Sequence, residues 1–123
     1  MYLLDTHAFL WFLNDDAKLP PIIKELIMRA ECLYISIGSF WEMAIKAKLK
    51  LPSSISILMN ACEEMNIAIL PITGQHLECL QNMPDFHGDP FDRLIISQGM
   101  VEDLTILSAD SKFDRYGARV LWQ

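Results

Sequence analysis

The 123-residue sequence predicts an α/β sandwich around a mainly parallel sheet. Short apolar runs alternate with longer segments whose apolar residues recur at helical spacing, the order expected of strand–helix–strand units. Each helical segment follows a capping residue or a proline, so helices begin where strands stop. No internal repeat, low-complexity stretch or linker divides the chain, and residues 1–123 read as a single domain.

Tyr2 to Leu4 is a short strand ended by the cap pair Asp5-Thr6. His7 to Leu13 is apolar nearly all round, which requires cover by the sheet and by a neighbouring helix or another subunit. Asn14-Asp15-Asp16 ends that helix, and Pro20-Pro21 opens a second with Ile22, Ile23, Leu26 and Ile27 on one face. Cys32 to Ser36 is a second strand. Ser36-Ile37-Gly38-Ser39 then turns into a third helix, expected to run to about Leu49. Beyond Pro52-Ser53-Ser54, the residues Ile55, Leu58, Met59, Cys62 and Met65 make the cleanest amphipathic stripe in the chain. Ile67 to Leu70 is a strand stopped by Pro71, and Thr73 caps a helix expected to turn Leu77 and Leu80 inward. A loop from Pro84 to Gly88 leads to Asp89-Pro90, an N-cap with proline at the first helical position, followed by Phe91, Leu94 and Ile95. Leu104 to Leu107 is a strand, Asp110 to Tyr116 a short helix, and Arg119 to Trp122 a last strand.

Apolar residues make up 52% of the chain, which excludes a disordered segment and implies a packed core. No apolar run approaches a bilayer span. The first residues do not resemble a signal peptide, since Asp5 interrupts them, so a cytoplasmic protein without a membrane partner is expected. Cys32, Cys62 and Cys79 form no Cys-x-x-Cys pair and read as reduced core thiols. His7, His76 and His87 show no metal-ligand spacing with them. A net charge of −6 counts against broad attraction to nucleic acid and suits a basic protein partner or a small local patch that grips substrate.

In such a fold the strand C-termini and helix N-termini share one edge, where ligands of open α/β sheets bind. Asp5 and Asp110 follow strands, Asp92 lies in the first turn of its helix, and Glu42 lies within the first two turns of another. Topology alone therefore brings four acids to one edge. Each also has a capping explanation: Asp5 and Asp110 as N-caps, Ser39-Phe40-Trp41-Glu42 as a capping box or Glu42 as a partner of Lys46, and Asp92 as a complement to the dipole. Collected at one edge, however, four carboxylates repel unless a cation sits among them. Oxygen-only ligands favour Mg²⁺ or Mn²⁺ over zinc.

These residues resemble those of PIN-domain ribonucleases, specifically toxins of VapC type from type II toxin–antitoxin pairs. The resemblance spans the chain and rests on four motifs. They are Leu-Leu-Asp5-Thr6-His7-Ala8-Phe9-Leu10-Trp11, Ser36-x-x-Ser39-Phe-Trp-Glu42-Met-Ala-Ile-Lys46, His87-x-Asp89-Pro-Phe-Asp92-Arg93 and Leu107-Ser108-Ala109-Asp110. It implies a three-layer α/β/α fold that cuts RNA phosphodiester bonds with Mg²⁺ or Mn²⁺. It also implies a homodimer inhibited by a small antitoxin protein. The family's acids carry over onto Asp5, Glu42, Asp92 and Asp110, with Asp5, Asp92 and Asp110 as metal ligands and Glu42 orienting water or completing a second metal shell. Ser108 stands where the family has Thr or Ser, a supporting hydroxyl, and Asp89 is a supporting acid in addition to its capping role. Gly88 departs from the pattern, since related sequences often carry Arg there.

Other residues have plainer readings. Lys46, Lys48 and Lys50 read as solvated lysines favoured by a helix C-terminus, with RNA phosphate contact as the alternative. Arg93 either reaches substrate or ties down Asp89, and His87 is a structural histidine near the site. Trp11, Trp41 and Trp122 read as core or interface. A phosphatase would want a second Asp where His7 stands, and a phospho-receiver would want a late-strand lysine where Ser108 and Ala109 stand. The remaining alternative to a nuclease is a binding module with a weak site that acts through a protein partner.

Overall fold

The computed structural model describes residues 1–123. Five strands form one sheet: β1 (Tyr2–Leu4), β2 (Leu33–Ser36), β3 (Ile67–Leu70), β4 (Thr105–Leu107) and β5 (Val120–Leu121). Their order is β3-β2-β1-β4-β5, and every pairing is parallel. Six α-helices connect them: α1 (Thr6–Leu13), α2 (Pro21–Arg29), α3 (Ile37–Ile45), α4 (Ile55–Glu64), α5 (Gly74–Asn82) and α6 (Pro90–Val101), and a 3₁₀ helix spans Ser111–Tyr116.

The layers follow from the two-residue period of a strand. In β1, Leu4 joins an apolar cluster with Ala8 and Phe9 of α1, Ile23 and Ile27 of α2, Phe40 of α3, and Leu58 and Cys62 of α4. Its neighbour Leu3 points the other way, into a cluster with Ile95 and Ile96 of α6, Ile106, Phe113 and Tyr116. Leu107 and Ile106 divide between the same two faces. Both sides of a parallel sheet are thus covered, which is why its strands read as unbroken apolar runs. Ala8, Phe9 and Leu10 of the apolar α1 are buried within the chain, with edge-to-face packing of Phe9 on Phe40 of α3, while Trp11, Phe12 and Leu13 stay half-buried. No helix is long and apolar enough to cross a membrane.

Gly38 and Gly99 permit close approaches. A Cβ at Gly38 would lie 2.6 Å from Leu94 Cδ2, so the missing side chain lets α3 press against α6. At Gly99 the same atom would meet Ile106 Cδ1 at 2.7 Å, where α6 lies on β4.

Three sequence expectations need correction. The third helix ends at Ile45, short of Leu49, because Lys46 takes an extended backbone and the chain turns to lay Leu49 and Leu51 against the core. In α5 it is His76, fully buried, that faces inward, while Leu77 is 52% exposed. His76 Nδ1 accepts the Thr73 N–H at 3.0 Å and Nε2 donates to Glu102 at 2.6 Å, which fixes that helix face. Of the three free thiols only Cys62 is buried, where desolvation pushes its pKa up to about 11; Cys32 is exposed.

Candidate metal centre

Parallel register assembles the site. Leu4 pairs with Leu107, and the Asp5 N–H donates to Leu107 O at 3.1 Å, so Asp5 leaves β1 level with Ser108 leaving β4. Asp5 caps α1, accepting the Ala8 N–H on Oδ1 at 2.7 Å. Asp110 caps the 3₁₀ helix, accepting the Lys112 N–H at 2.9 Å, while its own N–H donates to Ser108 Oγ at 3.0 Å. Asp89 caps α6 by accepting the N–H groups of Phe91 and Asp92 at 2.8 and 3.2 Å. The capping readings of Asp5, Asp89 and Asp110 therefore hold, and each cap fixes a carboxylate at the shared edge.

Glu42 is different. Ser36, not Ser39, caps α3, so the expected Ser39–Glu42 capping box does not form. Both side chains instead turn into the protein: the Thr6 hydroxyl lies 2.9 Å from Ser39 Oγ and donates to Glu42 Oε1 at 2.6 Å. Glu42 Oε2 accepts from Lys46 Nζ at 2.7 Å, and the same ammonium reaches Asp89 Oδ2 at 2.8 Å. Lys46 is thus a pin between the end of α3 and the start of α6, a role its place near a helix C-terminus did not announce. Arg93 does not tie down Asp89, which is left to Lys46; it reaches Met83 O at 3.4 Å.

His87 joins the acids directly. Its Nε2 lies 2.7 Å from Asp110 Oδ2 and 3.2 Å from Asp92 Oδ2. Its Nδ1 accepts the Asp89 N–H at 3.1 Å, so the ring proton resides on Nε2 and donates to the carboxylates. The Tyr116 hydroxyl accepts the N–H groups of Phe86 and His87 at 2.9 and 2.8 Å, which holds the loop that carries the imidazole. One ligand atom each from His87, Asp92 and Asp110 lie within 4.8 Å of one another. Sequence reasoning gave His87 only a structural role and missed Thr6 and Tyr116, since their roles depend on partners about thirty residues away.

The electrostatics are unbalanced. Asp92 feels the charges of Asp89, Asp5, Glu42 and Asp110, while Lys46 binds only Glu42 and Asp89 and Lys112 acts on Asp110. Burial, then the charges of Asp89, Asp5, Glu42 and Asp110, push the Asp92 carboxyl up to about 8. Burial also lifts Asp5 to about 6, against the opposing pull of the Ser108 hydroxyl and the Ala8 N–H. Burial works the same way on Asp89 and Asp110, but hydrogen bonds reverse it. Lys46 holds Asp89 below the usual carboxylate range, and the Lys112 N–H and His87 do the same for Asp110. Lys46 in turn is desolvated, yet its two acid partners raise its pKa. Such a surplus of carboxylate oxygens fits a hard divalent cation: Asp92 and Asp110 offer ligand atoms within 4.8 Å of one another together with His87, and Asp5, outside that group, is close enough to act on Asp92 through its charge.

A PIN domain model matches residues 2–119. Solved structures share the fold at low identity. VapBC2 from Rickettsia felis, bound to a DNA fragment from its promoter, aligns with a TM-score of 0.72 at 15% identity, over 99% of this chain and 98% of that one. FitAB bound to an IR36 DNA fragment gives 0.70 at 18%, over 100% and 96%. FitAcB from Neisseria gonorrhoeae gives 0.65 at 18%, over 98% and 96%. A sequence search of curated proteins gave no match.

Proposed function

We infer that this chain, which belongs to the PIN domain family, is a metal-dependent endoribonuclease and the toxin of a type II toxin–antitoxin pair. One observation carries the enzymatic reading. Five carboxylates act on one another at one sheet edge, with Lys46 bonded to only two of them, and burial with mutual repulsion raises Asp92 to about 8.

Mg²⁺ or Mn²⁺ held by Asp5, Asp92 and Asp110 would supply a Lewis acid that lowers the pKa of water and offsets charge on the phosphoryl oxygens. The protein's own contribution is rigidity and charge. The Ala8 N–H orients Asp5, the Lys112 N–H and His87 orient Asp110, and Thr6 and Lys46 hold both oxygens of Glu42. With its oxygens so engaged, Glu42 shapes the field and orients water. Ser108 and Asp89 support the cluster through Asp110 and Lys46 respectively. No serine or cysteine nucleophile is needed, since water is the attacking group.

The toxin reading draws on the VapBC and FitAB neighbours, whose partner proteins suggest a small antitoxin here, and a homodimer is part of the proposal. Purified protein incubated with structured RNA should cleave it with Mg²⁺ or Mn²⁺ and not with EDTA, and Asp5→Asn and Asp92→Asn should abolish the cut. Cleavage that survives chelation or either substitution defeats the proposal. If no RNA is cut by partner-free protein, the binding module is favoured instead. Growth arrest on expression, relieved by a co-expressed small DNA-binding protein from the same operon, tests the toxin role.

A further inference from the structure

Beside the acid cluster lies a pocket of about 250 Å³ lined in part by His7, Trp11, Lys18, Lys48 and Lys50. It adjoins the centre through the chain on both sides: His7 follows Thr6, which bonds Glu42, and Lys48 and Lys50 follow Lys46, which bonds Glu42 and Asp89. Its charge is unusual for this protein. The chain has net charge −6, and Lys24, Arg29, Lys46 and Arg119 are all paired with carboxylates. Lys18, Lys48 and Lys50 have no such partner, yet all three face one cavity. Asp16 shares the pocket, where its Oδ1 accepts the Lys18 backbone N–H at 2.9 Å. Ammonium groups gathered in this way attract a polyvalent anion.

The remaining wall is aromatic. The His7 and Trp11 rings lie 5.7 Å apart and tilted by 34°, Trp11 is backed by Trp122 at 5.8 Å, and Lys18 Nζ stands 5.9 Å from the Trp11 ring centre. A flat π-surface beside free cations is the combination that binds single-stranded nucleic acid, with bases on the rings and phosphates on the lysines. A duplex, whose bases are already stacked and paired, offers no free face to the rings.

We propose that this pocket takes one unpaired nucleotide of a single-stranded RNA next to the cleaved bond, its base against His7 and Trp11 and its phosphate among Lys18, Lys48 and Lys50. The proposal rests on the ribonuclease reading and adds the path of the strand. It also assigns Trp11 a surface role where the sequence suggested core or interface.

The test is fluorescence anisotropy of a labelled, short single-stranded RNA with the full chain in EDTA, over a range of salt. Lys48→Gln/Lys50→Gln should weaken binding about tenfold and reduce the salt slope by about 0.7, the amount for one phosphate contact on a single strand. His7→Ala should weaken binding about fivefold or more with the slope unchanged, as expected for loss of stacking. All three side chains are exposed, so the variants should fold, which circular dichroism verifies. Wild-type affinity in both variants overturns the proposal, and so does equal competition by an unlabelled RNA duplex. Weakened binding in the variants, with no metal-dependent cleavage by the wild type, would uphold the pocket and defeat the nuclease reading. Cleavage by the wild type with unchanged binding in the variants would do the reverse.

Discussion

Replacing Asp92 by asparagine probes the charge imbalance of the metal centre most directly. Burial and four neighbouring acids hold this carboxyl near 8, whereas in an unfolded chain it titrates near 3.8. Between those values the unfolded chain has released a proton that the folded chain retains. The contribution of Asp92 to stability is therefore most favourable below pH 3.8, falls as pH rises through the window, and is least favourable above 8. At pH 7 the difference corresponds to about 4 kcal/mol, an upper figure because the side chain keeps 22% exposure and solvent screens part of the repulsion. Asparagine has nearly the same shape without the charge. In EDTA at neutral pH, Asp92→Asn should gain roughly 2–4 kcal/mol, or about 5–15 °C in Tm for a chain of this length. At about pH 4 the gain should almost vanish, because wild-type Asp92 is then protonated in the folded state and half protonated in the unfolded one. Mg²⁺ should raise the Tm of the wild type at about pH 8 and have little effect on the variant. Tryptophan fluorescence during a thermal scan reads all of these. A variant no more stable than wild type at about pH 8, a gain of equal size at pH 4, or an undiminished Mg²⁺ shift would refute the electrostatic account.

Lys46→Met should destabilise the protein by about 2–4 kcal/mol at neutral pH, since it strands the buried Glu42 and leaves Asp89 without its cation. Urea denaturation should show the loss shrinking towards pH 4, where the carboxylates take up protons. Gly38→Ala forces a methyl to within 2.6 Å of Leu94 and 3.2 Å of Ser36 Oγ. We expect a loss of about 1–3 kcal/mol by urea titration, with α3 and its Glu42 displaced from α6 and RNA cleavage reduced. Gly88→Arg should be tolerated, because no heavy atom lies within 4 Å of a Cβ there. Its stability should stay within about 0.5 kcal/mol of wild type, while RNA affinity at low salt rises through the added cation.

Much of this protein was legible because local signals agreed with tertiary demands. The apolar runs of β1 to β4, the caps Asp5, Thr73 and Asp89, and Pro21 and Pro90 at helix starts each mark an element edge that the fold respects. Strand–helix order alone brought Asp5, Glu42, Asp92 and Asp110 to one edge. What was hidden depended on pairs far apart in the chain. Glu42 was legible as a partner of Lys46, which it binds, but not as the acceptor of a hydrogen bond from Thr6, thirty-six residues away. His87 was legible as a loop histidine near the site, but its direct contact with Asp92 and Asp110 depends on the register of β4 against β1 and on the Tyr116 hydroxyl. Likewise, helical spacing pointed Leu77 inward, but His76, bonded at both ring nitrogens, occupies that face. Of the core and interface readings of Trp41 the core one falls: it is 57% exposed and stands edge-on to Phe91 at 4.9 Å.

The central place of β1 has a consequence for biosynthesis. Of these five strands the one synthesised first sits between β2 and β4, so its far side waits for residues 105–107 before it is covered. A nascent chain translated only through β3 carries Asp5 and Glu42 but neither Asp92 nor Asp110. Whatever chemistry the acids perform therefore needs α6 and the segment after β4 in place, and a fragment ending at β3 lacks half of the cluster.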